Sequence, residues 1–518
     1  MARVFISYKY GAEPDERLAD YFAQNLAQKN HQVFIDKKIE IGQEWPTIIK
    51  QELEQADSLI VLLSEHAITS EMIIEEVVIA HQLKKQRGTP IILPVRLAYT
   101  GDLPYDLGAR LGRIQYAFWA KSGDEVNILE RLHQALATNQ PFEEEPPEPH
   151  SEQKITIATD GNETKSDIKL ISPLPSFDPR WLEKLDPPGG AMRLQSPFYV
   201  ERQVDRLAKD LILKDGLTLR IKGGRQMGKS SILARLYQHA RDNHRSVLYI
   251  DFQRLDDQHL QGIEIFLRYL ADLITHKLKT TRPPDHYWQT PLGSKDKLTE
   301  FLSNEVLEHA DTAFVLFLDE VDRLFNFEHY RDDFFSLIRS WHNNRAFDPL
   351  WDKLNLVLAY STEAFMFIAD LNQSPFNVGV AFDAVDFDRA EVEELNRRHG
   401  SPLKIEELDE IIELLQGHPF LIRKALYELV VTKLPLPVLL SRATDDDGPF
   451  SDHLHRCLWQ LDTQPALRSA MKAVIQRQPC PTDQLFYQLR SAGLVRGNNR
   501  NNVMPRCGLY ARYFERHL

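Results

Sequence analysis

The chain has 518 residues, 43% of them hydrophobic and 26% charged, enough for about three domains of roughly 150 residues, each with its own core. Lys and Arg number 62 against 75 Asp and Glu, a net charge of −13, which argues against a protein built mainly to bind nucleic acid and leaves open only a local basic patch. Three cysteines without C-x-x-C spacing give no disulfide framework or zinc site and suit a reducing cytoplasm; the apolar run at the N-terminus is too short for a signal peptide, and no run of about 18 apolar residues marks a membrane span.

Residues 1–138 alternate strand-like and helix-like runs. Val4-Phe5-Ile6-Ser7 reads as a buried strand. Leu18, Tyr21, Phe22 and Leu26 recur at helical spacing. Gln32-Val33-Phe34-Ile35-Asp36 reads as a second strand, and Trp45, Ile48, Ile49 and Leu53 share one helix face. The run from Ser58 to Ser64 is almost free of polar residues, as in the middle of a parallel sheet. A helix is expected from about Glu71 to Lys85, a fourth strand from Pro90 to Leu97 and a fifth from Arg113 to Trp119. Five such repeats predict an α/β, flavodoxin-like doubly wound sheet, with ligands beyond the carboxyl ends of its strands.

This segment resembles a TIR domain over its whole length. The matching residues are Phe5-Ile6-Ser7-Tyr8, Val33-Phe34-Ile35-Asp36, Ile41-Gly42-Gln43-Glu44-Trp45, Ala56 to Ser64, Ser70 to Glu76, and Phe118-Trp119. Met72 stands where an aromatic residue is usual. Enzymatic members of that family cleave the nicotinamide–ribose bond of NAD. The register from Ser70 implies that the essential glutamate is Glu76, with Glu75 its neighbour. A carboxylate suits the chemistry, because loss of nicotinamide leaves an oxocarbenium-like ribose. The resemblance implies that Phe5, Ser7, Asp36, Trp45 and Met72 wall the NAD pocket. Other family members are scaffolds only.

Residues 139–190 open on a proline-bearing acidic stretch, Pro141 to Pro149, and read as a tether. Lys154-Ile155-Thr156-Ile157-Ala158 is a candidate short strand within it.

Residues 191–385 carry the strongest motif. Gly223-Gly224-Arg225-Gln226-Met227-Gly228-Lys229-Ser230 fits G-x-x-x-x-G-K-S, between a strand-like run (Leu217 to Lys222) and a helical one (Ser231 to Leu236). Glycines let successive backbone N–H groups turn around a phosphate, and the helix N-terminus adds positive charge. Lys229 is expected on the β/γ-phosphates of ATP or ADP and the Ser230 hydroxyl on Mg2+. Ala313 to Glu320 is an apolar strand ending in Asp319 and Glu320, a Walker B pattern: Asp319 for Mg2+, Glu320 for the attacking water. A further strand, Leu354 to Tyr360, ends at Ser361-Thr362, either of which suits a γ-phosphate sensor or a helix cap. Arg339 and Arg345 read as a solvated helix face, with an arginine finger as the alternative.

Residues 386–463 read as a helical lid containing Gly417-His418-Pro419, and residues 464–518 as a small winged-helix-like unit. Residues 191–518 resemble STAND-type, AAA-like ATPases. In those, a segment matched here by Val200-Glu201-Arg202 packs on adenine, and the proline matched by Pro419 contacts it. The winged helix usually packs on the nucleotide, which is preferred here over DNA binding through Arg490, Arg496, Arg500 and Arg506. No 34- or 40-residue period follows, so sensing falls to the core, to a separate subunit, or to neither.

Taken together, these resemblances imply a cytoplasmic signalling or defence effector that answers a trigger. ATP would drive self-association through the TIR and ATPase domains, activating NAD cleavage. A non-enzymatic TIR adaptor switched by ATP and ADP is the alternative, and an ATP-dependent DNA-binding regulator the third reading.

Overall fold

The computed structural model describes residues 1–35, 45–101, 103, 105–111, 114–142, 177–361 and 375–518. The candidate strand at Lys154 to Ala158 lies outside them. The chain divides into two compact units, Met1–Leu185 and Asp186–Leu518.

The first unit runs β1 (Arg3–Ser7), α1 (Asp15–Gln28), β2 (Gln32–Ile35), α2 (Trp45–Gln55), β3 (Ser58–Leu63), α3 (Glu71–Arg87), β4 (Ile91–Leu97), α4 (Tyr105–Leu111), β5 (Ala117–Trp119) and α5 (Asp124–Thr138). Its strands pair in parallel in the order β2-β1-β3-β4-β5, the doubly wound order expected. The order reverses between β1 and β3, which is where such a sheet opens a crevice. All six residues of β3 are buried, which explains the absence of polar residues in that run. One side of the sheet packs on α1 and α5 through Val4, Ile6, Leu18, Phe22, Ile60, Leu62, Leu132 and Leu136. The pleat sends Phe5 and Ser7 to the opposite side. The Ser70 side chain caps α3, accepting from the Ile73 N–H at 3.4 Å. Lys84, Lys85 and Arg87 fill its last turn, where cations favour the helix dipole.

The second unit runs α6 (Gln203–Ile212), β6 (Thr218–Lys222), α7 (Lys229–Asp242), β7 (Ser246–Asp251), α8 (Ile263–Leu278), α9 (Asp285–Trp288), α10 (Ser294–Phe301), β8 (Phe314–Asp319), α11 (Arg331–Asn344), β9 (Leu354–Tyr360) and β10 (Val380–Asp383). It continues through α12 (Arg389–Arg398), α13 (Ile405–Leu415), α14 (Pro419–Val431), α15 (Leu436–Ser441), α16 (Ser451–Asp462), α17 (Pro465–Ile475), α18 (Asp483–Ser491), the hairpin β11 (Val495–Asn499) and β12 (Asn502–Pro505), and α19 (Gly508–His517). Its main sheet is parallel, in the order β10-β6-β9-β8-β7. Alternation along each strand builds a core on both faces. Val247, Val315, Phe317, Val357 and Ala359 meet Ile232, Leu233 and Leu236 of α7. Leu248, Ile250, Leu316, Leu318 and Leu356 meet α8, α10 and α11, where Phe252, Phe266, Tyr330 and Phe334 form an aromatic cluster.

The fold agrees with the α/β, helical-lid and winged-helix expectation. The fifth strand of the first unit is shorter than Arg113 to Trp119. Arg345 is a correction. It is no solvated face, because its guanidinium donates to the carbonyls of Leu217 and Leu354 and to Thr218 Oγ1, strapping α11 to the sheet. Arg339 donates to Asn377 Oδ1. Among the described residues, no helix is long and apolar enough to cross a membrane.

Candidate functional site

The second unit builds its site at the carboxyl end of β6. The loop after β6 is fastened by the Gly223 N–H, which donates to the Tyr360 carbonyl at the tip of β9 at 3.2 Å. Gly228 caps α7 at φ +86, a left-handed conformation that glycine takes without Cβ strain. A side chain there would also meet the Arg202 guanidinium at 3.3 Å. Lys229 is only 5% exposed, and its Nζ donates to Ser361 Oγ at 2.7 Å and to the Gly224 carbonyl at 3.3 Å. The Ser361 N–H donates to Asp322 Oδ2 at 2.7 Å, so Ser361 ties the end of β9 to the turn after β8 on one side and to Lys229 on the other. Of the two residues left open at the tip of β9, Ser361 meets the lysine; Thr362 lies outside the described residues.

Asp319 is 1% exposed. Its Oδ1 accepts from the Glu320 N–H at 3.0 Å, its Oδ2 accepts from the Tyr249 hydroxyl at 2.9 Å, and Ser230 bonds it as well. Burial pushes its carboxyl up, while these bonds and the Lys229 charge pull it down. Glu320 sits at φ +54, and burial pushes its carboxyl up to about 7, against the Lys229 charge and with Asp322, Asp319 and Asp251 adding to the rise. Ser230 and Asp319 form the hard oxygen set that suits Mg2+. Among the described residues, no three of His, Cys, Asp and Glu converge on a metal position, so an ion here would complete its shell with phosphate and water.

Arg202 and Val200 are buried beside this loop. The Arg202 guanidinium donates to the Met227 carbonyl at 2.9 Å and to the Val385 carbonyl at 3.3 Å, and lies 5.8 Å from the Phe387 ring centre. The Phe387 N–H donates in turn to the Gly417 carbonyl at 2.8 Å. Arg202 and the turn before Pro419, the first residue of α14, are therefore joined through Phe387. The winged-helix-like unit reaches the loop directly. A Cβ on Gly224 would lie 3.4 Å from Gly493 Cα, at the turn after α18, where Gly493 has φ +77. Arg506 pairs with Asp386, and its Nη2 lies 3.2 Å from Met227 Sδ. Arg496 donates to Gln416 Oε1 and Arg500 to the Pro481 carbonyl, each at 2.8 Å. Arg496, Arg500 and Arg506, all considered for DNA, thus have partners within the chain.

In the first unit, the candidate site lies at the carboxyl end of β1. Ser7 Oγ donates to Glu76 Oε2 at 2.6 Å, and both residues are buried. Glu75 is half-buried, so of the two glutamates it is Glu76 that turns toward β1. Met72, four residues earlier on α3, is buried on the same helix face. Phe5 is 1% exposed with its ring 5.1 Å from that of Phe34, so it packs as core behind Ser7. Trp45 begins α2; Asp36 and the Trp45 side chain lie outside the described residues. Sequence reasoning missed Tyr249 and Asp251. The alternation Val247, Tyr249, Asp251 on the α7 side of β7 was the available signal, since Asp251 registers with Asp319.

A family model described as an AAA-like domain matches residues 187–516, and one described as a TIR domain matches residues 4–133. An uncharacterised WD repeat-containing protein of Synechocystis sp. (strain ATCC 27184 / PCC 6803 / Kazusa) is 31% identical over 257 residues, 48% of this chain. The chain spans 21% of that relative's length. Among solved structures, AMPPCP-bound DnaA from Aquifex aeolicus is 16% identical at a TM-score of 0.29, covering 45% of this chain and 64% of its own. The TIR domains of the activated Roq1 resistosome are 16% identical at 0.18, covering 27% and 75%. NtrX from Brucella abortus with ADP is 10% identical at 0.28, covering 92% and 95%. The chain belongs to the AAA-like family and carries a TIR domain ahead of its AAA-like domain.

Proposed function

We propose that this protein is a nucleotide-regulated signalling or defence effector. Its AAA-like unit binds ATP or ADP with Mg2+, the nucleotide state controls self-association, and the associated TIR domains cleave NAD at the nicotinamide–ribose bond. The observation that carries the enzymatic part is the buried Glu76 carboxylate, held by Ser7 at the crevice end of a parallel sheet. Neutral nicotinamide leaves without a general acid. Glu76 stabilises the positive charge that develops on the ribose. Water then adds to the ribose carbon, giving ADP-ribose and a proton.

Lys229, Ser230, Asp319 and Ser361 support the nucleotide part, because Lys229 bonds Ser361 and Ser230 bonds Asp319 around one helix N-terminus. Lys229 would exchange its bond to Ser361 for a phosphate oxygen, and Ser361 would then report on that exchange to Asp322. A coupling of about 3 kcal/mol between nucleotide state and association shifts the population by roughly two decades.

The test is to incubate the full chain with NAD, Mg2+ and ATP and follow nicotinamide by chromatography, with mass distribution read in parallel. Nicotinamide release is expected to fall at least about a hundredfold in Glu76→Gln with association unchanged. Lys229→Ala should lose both nucleotide binding and association. Intact NAD at high protein concentration with assembled protein would reject the enzymatic part and leave an adaptor.

A further inference from the structure

We propose that Tyr249 is a positioning residue for the metal-binding carboxylate of the nucleotide site: its phenol holds one oxygen of Asp319 so that the other faces Mg2+. This rests on the reading that the second unit binds a nucleotide with Mg2+. Tyr249 stands on β7, at one edge of the main sheet, where it registers with Phe317 and Asp251 registers with Asp319. The pleat puts Tyr249 on the α7 side, and the phenol reaches forward along the strands to Asp319 Oδ2 at 2.9 Å.

Three features separate this bond from ordinary core packing. Asp319 is 1% exposed, so a desolvated carboxylate has few other donors to orient it. Its Oδ1 is already taken by the Glu320 N–H at 3.0 Å, so the torsion of the carboxyl group is fixed by what holds Oδ2. Tyr249 is 37% exposed at a sheet edge, so the phenol costs the core little if its hydroxyl is removed. Asp251, the other acid on that face of β7, does not replace it: its Oδ1 accepts from the Gln253 N–H at 2.8 Å and caps the turn that follows. Ser230 contacts the same carboxylate, so Tyr249 from β7 and Ser230 from the first turn of α7 grip it from two elements. A hydrogen bond to a buried carboxylate is strong enough that its loss lets the group rotate away from the ion.

The consequence is specific. Tyr249 should set how much Mg2+ the site needs and should leave metal-free nucleotide binding alone. The experiment titrates Mg2+ against full-length protein with a fluorescent ATP analogue, in wild type and Tyr249→Phe, and repeats the binding in EDTA. Asp319→Asn serves as the reference for loss of the metal ligand. The Mg2+ midpoint is expected to rise roughly three- to thirtyfold in Tyr249→Phe, with EDTA affinity within about twofold and melting temperature unchanged. An unchanged Mg2+ midpoint overturns the proposal. So does a loss of affinity that is equal with and without Mg2+, since that describes a nucleotide contact. A wild-type protein that binds the analogue no better with Mg2+ than in EDTA overturns the nucleotide reading itself, and the proposal with it.

Discussion

Asp15 is fully buried in the first turn of α1, with Ser64 Oγ donating to its Oδ1 at 2.8 Å. Burial pushes its carboxyl up to about 6 from an ordinary 3.8, and the Ser64 bond recovers only part of the cost. A folded-state value above the unfolded one means that the stabilising contribution is complete below about pH 4 and lost as the pH rises through 6. The first unit should therefore gain stability between pH 7.5 and pH 5, by about 1 kcal/mol of the roughly 3 kcal/mol that the whole shift carries. Asp15→Asn should flatten that dependence and be at least as stable as wild type at pH 7.5. Urea-unfolding midpoints of the first unit at several pH values, read by limited proteolysis, check it; an unaltered slope would remove Asp15 as the cause. At this scale the sequence was informative where chemistry is contiguous. Lys229 and Ser230 follow one another in a loop whose form their neighbours dictate. For Tyr249 the alternation gave only its face of β7, because its role depends on pairing with a strand that begins 65 residues later. The register from Ser70 already pointed to Glu76 over its neighbour Glu75, and Glu76 is the one that α3 turns toward β1.

Among the elements, α11 shows how a helix is held by a few large side chains. Phe334 is fully buried, with ring centres 6.0 Å from Phe252 and 5.1 Å from Phe266. Phe334→Ala is expected to cost the second unit about 3–5 kcal/mol, seen as a lower denaturant midpoint for that unit, while the midpoint of the first unit is unchanged. Arg345 contributes to the same helix by reaching the carbonyls of Leu217 and Leu354. Its charge made it look like surface; its long stem and five donors are what let it close two strands onto a helix end. The helices and strands were legible because periods of 3.6 and 2 survive in the sequence. The lengths were less so: β5 stops at three residues, although the apolar pattern runs longer.

Across the second unit as a whole, the phosphate loop is enclosed by parts from widely separated stretches: Arg202 before it, Tyr360 and Ser361 from β9, and Gly493 and Arg506 from the winged-helix-like end. None of this enclosure could be read from the motif alone, since the docking of α18 on Gly224 depends on turn geometry at Gly493. Arg506→Ala should weaken that enclosure by removing the pair with Asp386 and the contact with Met227. Release of a fluorescent ADP analogue, chased with unlabelled ADP, is expected to quicken several-fold, as truncating one member of a partly buried pair commonly costs more than 1 kcal/mol. An unchanged release rate would mean that the winged-helix-like unit touches the loop without restraining it.

The order of strands in the main sheet also sets a timetable. β6, which carries the phosphate loop, is flanked by β9 and β10, so both of its neighbours are made after it. Until Asp383 has been synthesised, the strand beneath Lys229 has no complete sheet to join. Among the described residues, the first unit, by contrast, has its five strands by Trp119 and α5 by Thr138. At about 5–20 residues per second, a growing chain therefore carries a finished TIR domain for roughly 10–50 seconds before the main sheet of the AAA-like unit can form. If association activates the TIR domain, a ribosome making one copy at a time keeps each early domain dilute, whereas several ribosomes on one messenger bring such domains close together. Cells making this protein would then be safest when it is translated sparsely, and most exposed when many copies are begun at once.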